Sequence, residues 1–323
     1  MSAPVPRPRP RRPKPRGASS ADGSPPGDPS AAHARFLRLG RDRALREWAR
    51  YEGTAQRELF RQLRERFLLR HAAAGRWALD AGAGPGRFSP LVGRASSRHV
   101  ALDLSRAMLR VGQELEEGGG GVGPIDRVLG DAFRPPFRSA VFTEVALVGN
   151  ALGFEATEGA ALLDSVEALV GEGGTLLLEV APGPGERSGY LGRLPPTAVR
   201  RLLDAPLAAV LPRVLREGFR LEPERHRPTS FRRWRPAELL DRWRTGGWGV
   251  REVVAVAPGL GPDRDRLEEV ARAPKAWSRL LELEERLGAD PARWPHAAAV
   301  LLAVARPALQ TNGFLPGATS PVV

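Results

Sequence analysis

The sequence predicts an α/β protein: a seven-stranded, mostly parallel, doubly wound sheet, with a helical cover before it and a lid insertion after the fifth strand. Three observations carry this. An apolar strand ends in an acid at Asp80 and runs straight into Gly82, Gly84 and Gly86, as a buried parallel strand does when it turns close to a ligand. A second strand, His99 to Asp103, ends in another acid 23 residues further on. Thr175 to Val180 is a near-continuous apolar run, the pattern of a strand covered by helices on both faces.

Taken in order, residues 1–32 are rich in Pro, Gly and Ser and carry six basic residues against Asp22 and Asp28, a net charge of +4. This reads as a disordered basic tail. No apolar run follows the charges, so neither a signal peptide nor a membrane anchor is expected. Residues 33–73 form a helical cover with a break at Gly53; Leu59, Phe60, Leu63 and Phe67 recur at helical spacing. The core spans 74–182, with a short helix starting near Phe88. Its third strand follows Gly118 to Gly121, and its fourth is Val141 to Val148. A helix then presents Leu162, Leu163, Val166, Leu169 and Val170 and stops at the glycines of 171–174.

Residues 183–246 interrupt the alternation with a helical stretch broken at Pro206 and Pro212, and then with an arginine-rich run containing Phe231 and Trp234. Between Pro196 and Val250 twelve arginines face six acids, half the formal charge of +12. Pro236 to Trp243 starts a short helix on proline. Residues 247–307 complete the sheet with a sixth strand, Val250 to Val256, and a seventh, His296 to Val304, inserted antiparallel beside the fifth. Residues 308–323 read as a disordered tail.

Composition excludes several functions. There is no cysteine, so disulfides and thiolate chemistry are absent. The five histidines are scattered without metal-ligand spacing, and no metal is expected. No stretch reaches the roughly 18 apolar residues of a membrane helix; a soluble, cytoplasmic protein is expected. Lys14 and Lys275 are the only lysines, so part of the arginine excess reflects coding bias rather than function.

The glycine spacing selects among nucleotide-like ligands. A dinucleotide fingerprint needs its third glycine at position 87, where this chain has Arg87, and the third glycine is at 86 instead. The Asp-x-Gly-x-Gly-x-Gly pattern resembles motif I of the class I S-adenosylmethionine-dependent methyltransferases. Other segments resemble the same family. Asp103 stands where its ribose-binding carboxylate is found, and Ser105 to Leu109 is similar to the helix start that follows. Gly130-Asp131-Ala132 resembles the segment that meets adenine. Gly149-Asn150 resembles the segment after the fourth strand in small-molecule N- and O-methyltransferases, and Ala303 to Pro307 the last strand. The resemblance covers about residues 40–306. It implies S-adenosylmethionine as cofactor, held by Asp80, Gly82, Ala83, Gly84, Gly86, Asp103, Leu104, Met108, Asp131, Ala132 and Asn150.

For the acceptor the sequence gives candidates only. Glu179, Tyr190 and His226 are potential bases by location; Tyr51 is either a pocket residue or a packing tyrosine. The arginine-rich lid, with Arg233, can hold an anionic small substrate, track RNA, or simply be a solvated face. The family's enzymes that methylate exocyclic amines of adenine in nucleic acid, or glutamine side chains, usually carry an Asn/Asp-Pro-Pro-aromatic motif after the fourth strand; this chain has Asn150-Ala151-Leu152-Gly153, which argues against that subclass and not against RNA methylation in general. A small-molecule acceptor is therefore expected, with an RNA methyltransferase and a non-catalytic S-adenosylmethionine-binding protein as alternatives. No catalytic residue is assigned, since the cofactor is already activated and positioning can provide most of the acceleration.

Overall fold

The computed structural model describes residues 38–117, 124–149, 152, 156–181, 194, 196–217, 234–259, 267–291, 294 and 297–308. The cover contains helix α1 (Arg41–Trp48), a 3₁₀ turn at Ala49–Tyr51 and helix α2 (Ala55–His71). Gly53, at φ +83°, makes the break between them, and Thr54 caps α2 by accepting the Arg57 N–H at 3.3 Å. Then follow β1 (Gly75–Ala81), β2 (Ser96–Asp103), α3 (Arg106–Glu117), β3 (Ile125–Leu129), β4 (Phe142–Leu147), α4 (Ala156–Leu169) and β5 (Val170–Val180). The chain continues with α5 (Pro196–Asp204), α6 (Leu207–Glu217), α7 (Pro236–Thr245), β6 (Gly249–Val256), the single turn α8 (Glu268–Ala271), α9 (Pro274–Gly288) and β7 (Ala299–Ala305).

These seven strands form one sheet in the order β3-β2-β1-β4-β5-β7-β6. The first five are parallel, and β7 runs antiparallel to both β5 and β6, as expected. Both faces are buried, so side chains alternate between two cores. Ala78, Ala146, Leu177 and Leu301 face α2, α5, α6 and α9. Leu79, Val145, Leu176, Leu178 and Leu302 face α4 and α7. Burying a side chain of this size is worth about 1.5–3 kcal/mol, and the two cores together hold most of the large aliphatic residues of the strands.

Three expectations are corrected. No helix starts at Phe88: the β1–β2 connection is a run of turns with one helical hydrogen bond, Val92 N–H to Phe88 O at 3.1 Å. Pro90 supplies no N–H, and Gly93 at φ +70° ends the turn. Pro212 does not break the insertion but lies inside α6, while Pro206 does separate α5 from α6. Finally, β5 begins at Val170 rather than Thr175, because Val170 pairs with Phe142 and the glycines form a bulge before Thr175 pairs with Glu144. The helices α5 and α6 of the insertion pack into the core shared with α9. Residues 183–193, 195 and 218–233 of the insertion, with Tyr190, His226 and Arg233, lie outside the described residues, as do residues 1–37 and 309–323.

Candidate functional site

Strand order reverses between β1 and β4: from β1 the chain builds outward through β2 and β3, then returns to build through β4 and β5. In open parallel sheets the crevice at such a switch point, beyond the carboxyl ends of the strands, is where ligands bind. Here the residues that end β1, β2 and β4 converge.

The glycine turn comes first. Gly82, Gly84 and Gly86 take φ values of +69°, +58° and +81°, a region costly for residues with a Cβ. The turn closes through Gly86 N–H to Ala83 O at 2.9 Å and is tied to β2 by Ala83 N–H to Leu102 O at 3.0 Å. A Cβ built on Gly84 would meet no atom within 4 Å; beyond that glycine lies open space. Gly112 of α3 supports the turn from behind, where a Cβ would stand 2.2 Å from Pro85 O.

Two carboxylates flank the turn. Asp80, at the end of β1, is buried; its Oδ2 accepts the Ser89 hydroxyl at 2.6 Å, and its Oδ1 has no hydrogen-bond partner. Burial pushes its pKa up to about 7, against the opposing hydrogen bond from Ser89. Asp103, at the end of β2, accepts Gly84 N–H on Oδ2 at 2.8 Å and Ser105 N–H on Oδ1 at 2.7 Å. Burial raises its pKa too, opposed by those two amides. Each oxygen keeps acceptor capacity. Ser105 starts α3, its hydroxyl accepting Met108 N–H at 3.4 Å.

At the neighbouring strand end, Gly130 N–H reaches Asp103 O at 3.1 Å. Asp131 accepts Phe133 N–H at 2.9 Å, and Asp131, Ala132 and Leu104 are half-buried. The structure thus brings Asp80, the glycine turn, Asp103, Leu104, Asp131 and Ala132 to one end of the sheet. Met108 is buried in a small cluster with Ala44 and Val111 that packs α1 onto α3. Asn150 lies outside the described residues.

The acceptor side differs from its sequence reading. Glu179, at the end of β5, is locked in a bidentate pair with Arg64 of α2, Arg64 Nε to Oε2 at 2.9 Å and Nη2 to Oε1 at 2.8 Å. Both side chains are buried, 7% and 4% exposed. Burial alone would raise the Glu179 pKa, but the Arg64 charge and hydrogen bonds, with Gly149 N–H, hold it below the usual value. A carboxylate so engaged is not a free base. Tyr51 is a packing residue: buried, edge-on to Phe88 at 5.2 Å between centroids, with the Arg64 guanidinium 5.2 Å from its ring centre. Trp234 is buried against α4, its indole N–H donating to Leu152 O at 3.1 Å.

Sequence reasoning missed Arg64, Ser89 and Gly112. Each left a signal: a charge among the apolar positions of α2, a hydroxyl nine residues after Asp80, and a glycine inside a helix, where it costs about 1 kcal/mol unless something needs the space. A concavity lined by Arg70, Glu252 and Glu285 lies elsewhere, where α2, β6 and α9 meet. Ion pairs occupy it, Arg70 with Glu252 and Glu285 and Arg286 with Glu282. Among the described residues no cluster of acids and histidines suits a metal ion, and no helix is long and apolar enough to cross a membrane.

A mixed seven-stranded sheet with a glycine turn and strand-end acids at its switch point is the architecture of class I methyltransferases. The family model described as a methyltransferase domain matches residues 79–178, the stretch from Leu79 of β1 to Leu178 of β5. The match covers the core of the sheet from β1 to β5 and not the helical cover, the insertion or the last two strands. A search of curated proteins gave no match. Among solved structures, magnesium protoporphyrin IX methyltransferase from Synechocystis PCC 6803 with bound S-adenosylhomocysteine is similar at 12% identity, over 86% of this chain and 100% of that one, with a TM-score of 0.49. Geranyl diphosphate methyltransferase is similar at 15% identity, over 76% and 77% of the two chains, with a TM-score of 0.44. The cyclase SpnF is similar at 15% identity, over 80% and 85%, with a TM-score of 0.47.

The site fits the cofactor on its own terms. Asp80 Oδ1 is buried without a partner and open space lies beyond Gly84; a ligand that brings cationic groups would complement such a carboxylate. S-Adenosylmethionine, when bound, supplies a methyl group already activated on its sulfonium.

Proposed function

We propose that this protein is a cytoplasmic S-adenosylmethionine-dependent methyltransferase that transfers a methyl group to an oxygen or nitrogen of a small-molecule acceptor. In this reading Asp103 accepts the ribose hydroxyls and Asp131 with Ala132 takes the adenine. The turn from Asp80 to Gly86 receives the amino-acid portion. The chain's own contribution is to orient the cofactor and acceptor and to exclude water, which suffices for an in-line displacement on an activated methyl.

The single observation that carries the cofactor reading is the Gly84 N–H to Asp103 carboxylate bond of 2.8 Å. It ties the glycine turn after β1 to the acid that ends β2, at the same end of the sheet as the β1–β4 switch point. The preference for a small acceptor is supported by Trp234. This aromatic of the arginine-rich run is buried and hydrogen-bonded to Leu152, so it is not a stacking platform for bases. Arg242, from the same region, is paired with Glu167 and Asp164.

The test offers S-adenosylmethionine with a labelled methyl group to a small-molecule panel and, separately, to total RNA at low and high salt. Label in small molecules is the expected result. Label in RNA alone, falling steeply with salt as phosphate contacts require, would replace this reading with the RNA methyltransferase. Cofactor binding without transfer to any acceptor would identify a non-catalytic binding protein.

A further inference from the structure

The Arg64–Glu179 pair is unusual in being buried, bidentate and located at the ligand end of the sheet. Burying two charges is costly, and a buried pair is commonly no more stabilising than apolar residues of the same volume. Stability is a weak reason for such a pair, and its connections suggest another role.

Glu179 Oε2 accepts Arg64 Nε and also Gly149 N–H at 3.1 Å. Gly149, at φ +75°, is the second residue after β4, and β4 borders β1 across the switch point. Gly149 therefore stands on the wall of the crevice opposite the glycine turn. Its carbonyl faces Arg50 Nη1 at 3.4 Å. Arg64 in turn comes from the cover: it donates to Phe60 O at 2.9 Å within α2 and lies over Tyr51, which packs on Phe88 beyond the glycine turn. One contiguous set of contacts thus joins the cover, the β4 wall and the back of the glycine turn.

We propose that Arg64 and Glu179 are positioning residues for S-adenosylmethionine: through the Gly149 amide they set the β4 wall of the crevice, and through Tyr51 they seat the cover against the glycine-turn wall. The proposal rests on the cofactor reading above. It makes residues 41–71 part of the cofactor site rather than a separate cap, and it gives Glu179 a role that needs no proton transfer.

The test is a pair of double variants assayed by calorimetric titration with S-adenosylhomocysteine and by thermal melting. Arg64→Met with Glu179→Leu replaces the ion pair by apolar residues and should melt close to the wild type. It leaves Gly149 N–H without its acceptor, and affinity should fall by about tenfold or more. Arg64→Met with Glu179→Gln restores a neutral acceptor for Gly149 and should recover most of that loss. A first variant that melts normally and binds as well as the wild type overturns the proposal. So does a glutamine variant that folds but binds no better than the leucine one.

Should the apolar variant fail to fold, hydrogen exchange of the wild type decides. Added S-adenosylhomocysteine should slow exchange at Val148–Gly149 and in α2 as well as in the glycine turn; protection of the turn alone overturns the proposal. A wild type that binds neither S-adenosylmethionine nor S-adenosylhomocysteine overturns the cofactor reading and this proposal together, an outcome distinct from normal binding by the variants.

Discussion

Asp103 takes one backbone amide from each side, Gly84 and Ser105, and its oxygens still have capacity for sugar hydroxyls. Asp103→Ala should lower affinity for S-adenosylhomocysteine by about tenfold to a hundredfold, the scale of hydrogen bonds to a charged acceptor, measured by calorimetry. Asp80 titrates near neutrality because it is buried with Oδ1 unpartnered. A cationic ligand favours its ionised form, so affinity for S-adenosylmethionine should rise between about pH 6 and about pH 7.5. Asp80→Asn should flatten that profile. Glu284, fully buried in α9, accepts Gly259 N–H at 2.8 Å and leaves Oε1 unpartnered. Burial raises its pKa from 4.5 to about 8, opposed by that amide. A group raised in the folded state contributes stability that is present below its unfolded pKa and is lost as pH rises through the folded value. Stability should therefore decline from pH 5 to pH 8, by at most about 1.4 kcal/mol per pH unit from this group. Denaturant titrations of Glu284→Gln should show a smaller decline; an identical one would contradict the assignment.

At the scale of elements, α3 can approach the glycine turn only because residue 112 has no side chain. The atom a Cβ would strike is Pro85 O, part of the turn's backbone, which cannot rotate away. Gly112→Ala gains helix propensity, yet it should lower both the melting temperature and S-adenosylhomocysteine affinity. An ordinary exposed helix glycine would give the opposite sign of stability change. How far the elements were legible follows from what fixes each. The strands were read closely because alternating burial on two faces leaves little choice of register: β2, β4 and β6 end within a residue or two of their expected limits. The failures at Phe88, Pro212 and Val170 share a cause. Proline and glycine mark a constraint on the backbone without saying which partner satisfies it, and only tertiary pairing, such as Val170 with Phe142, decides. In the same way Asp80, Asp103 and Asp131 were legible from their spacing. The 115-residue separation of Arg64 and Glu179 left no local pattern to join them.

For the molecule as a whole, the formal charge of +12 invites a nucleic-acid reading that the described surface weakens. Several arginines are paired with acids, Arg61 with Glu58 and Glu65, Arg127 with Glu116, Arg87 with Glu52. Much of the excess of basic over acidic residues in the sequence falls in the basic tail and in the arginine-rich run, segments largely outside the described residues. The near-absence of lysine could be read from composition, and pairs within one helix such as Arg61 with Glu58 and Glu65 from their spacing; the pairs of Arg127 with Glu116 and Arg87 with Glu52 could not, because those partners lie in other parts of the fold. The central claim, that the switch-point crevice is an S-adenosylmethionine site, is tested most directly by thermal unfolding with S-adenosylmethionine or S-adenosylhomocysteine, with Asp103→Ala alongside. A ligand at a hundred times its dissociation constant stabilises the native state by roughly 2.7 kcal/mol. The account predicts a clear upward shift for the wild type and a much smaller one for the variant; a folded wild type that neither ligand shifts would contradict it.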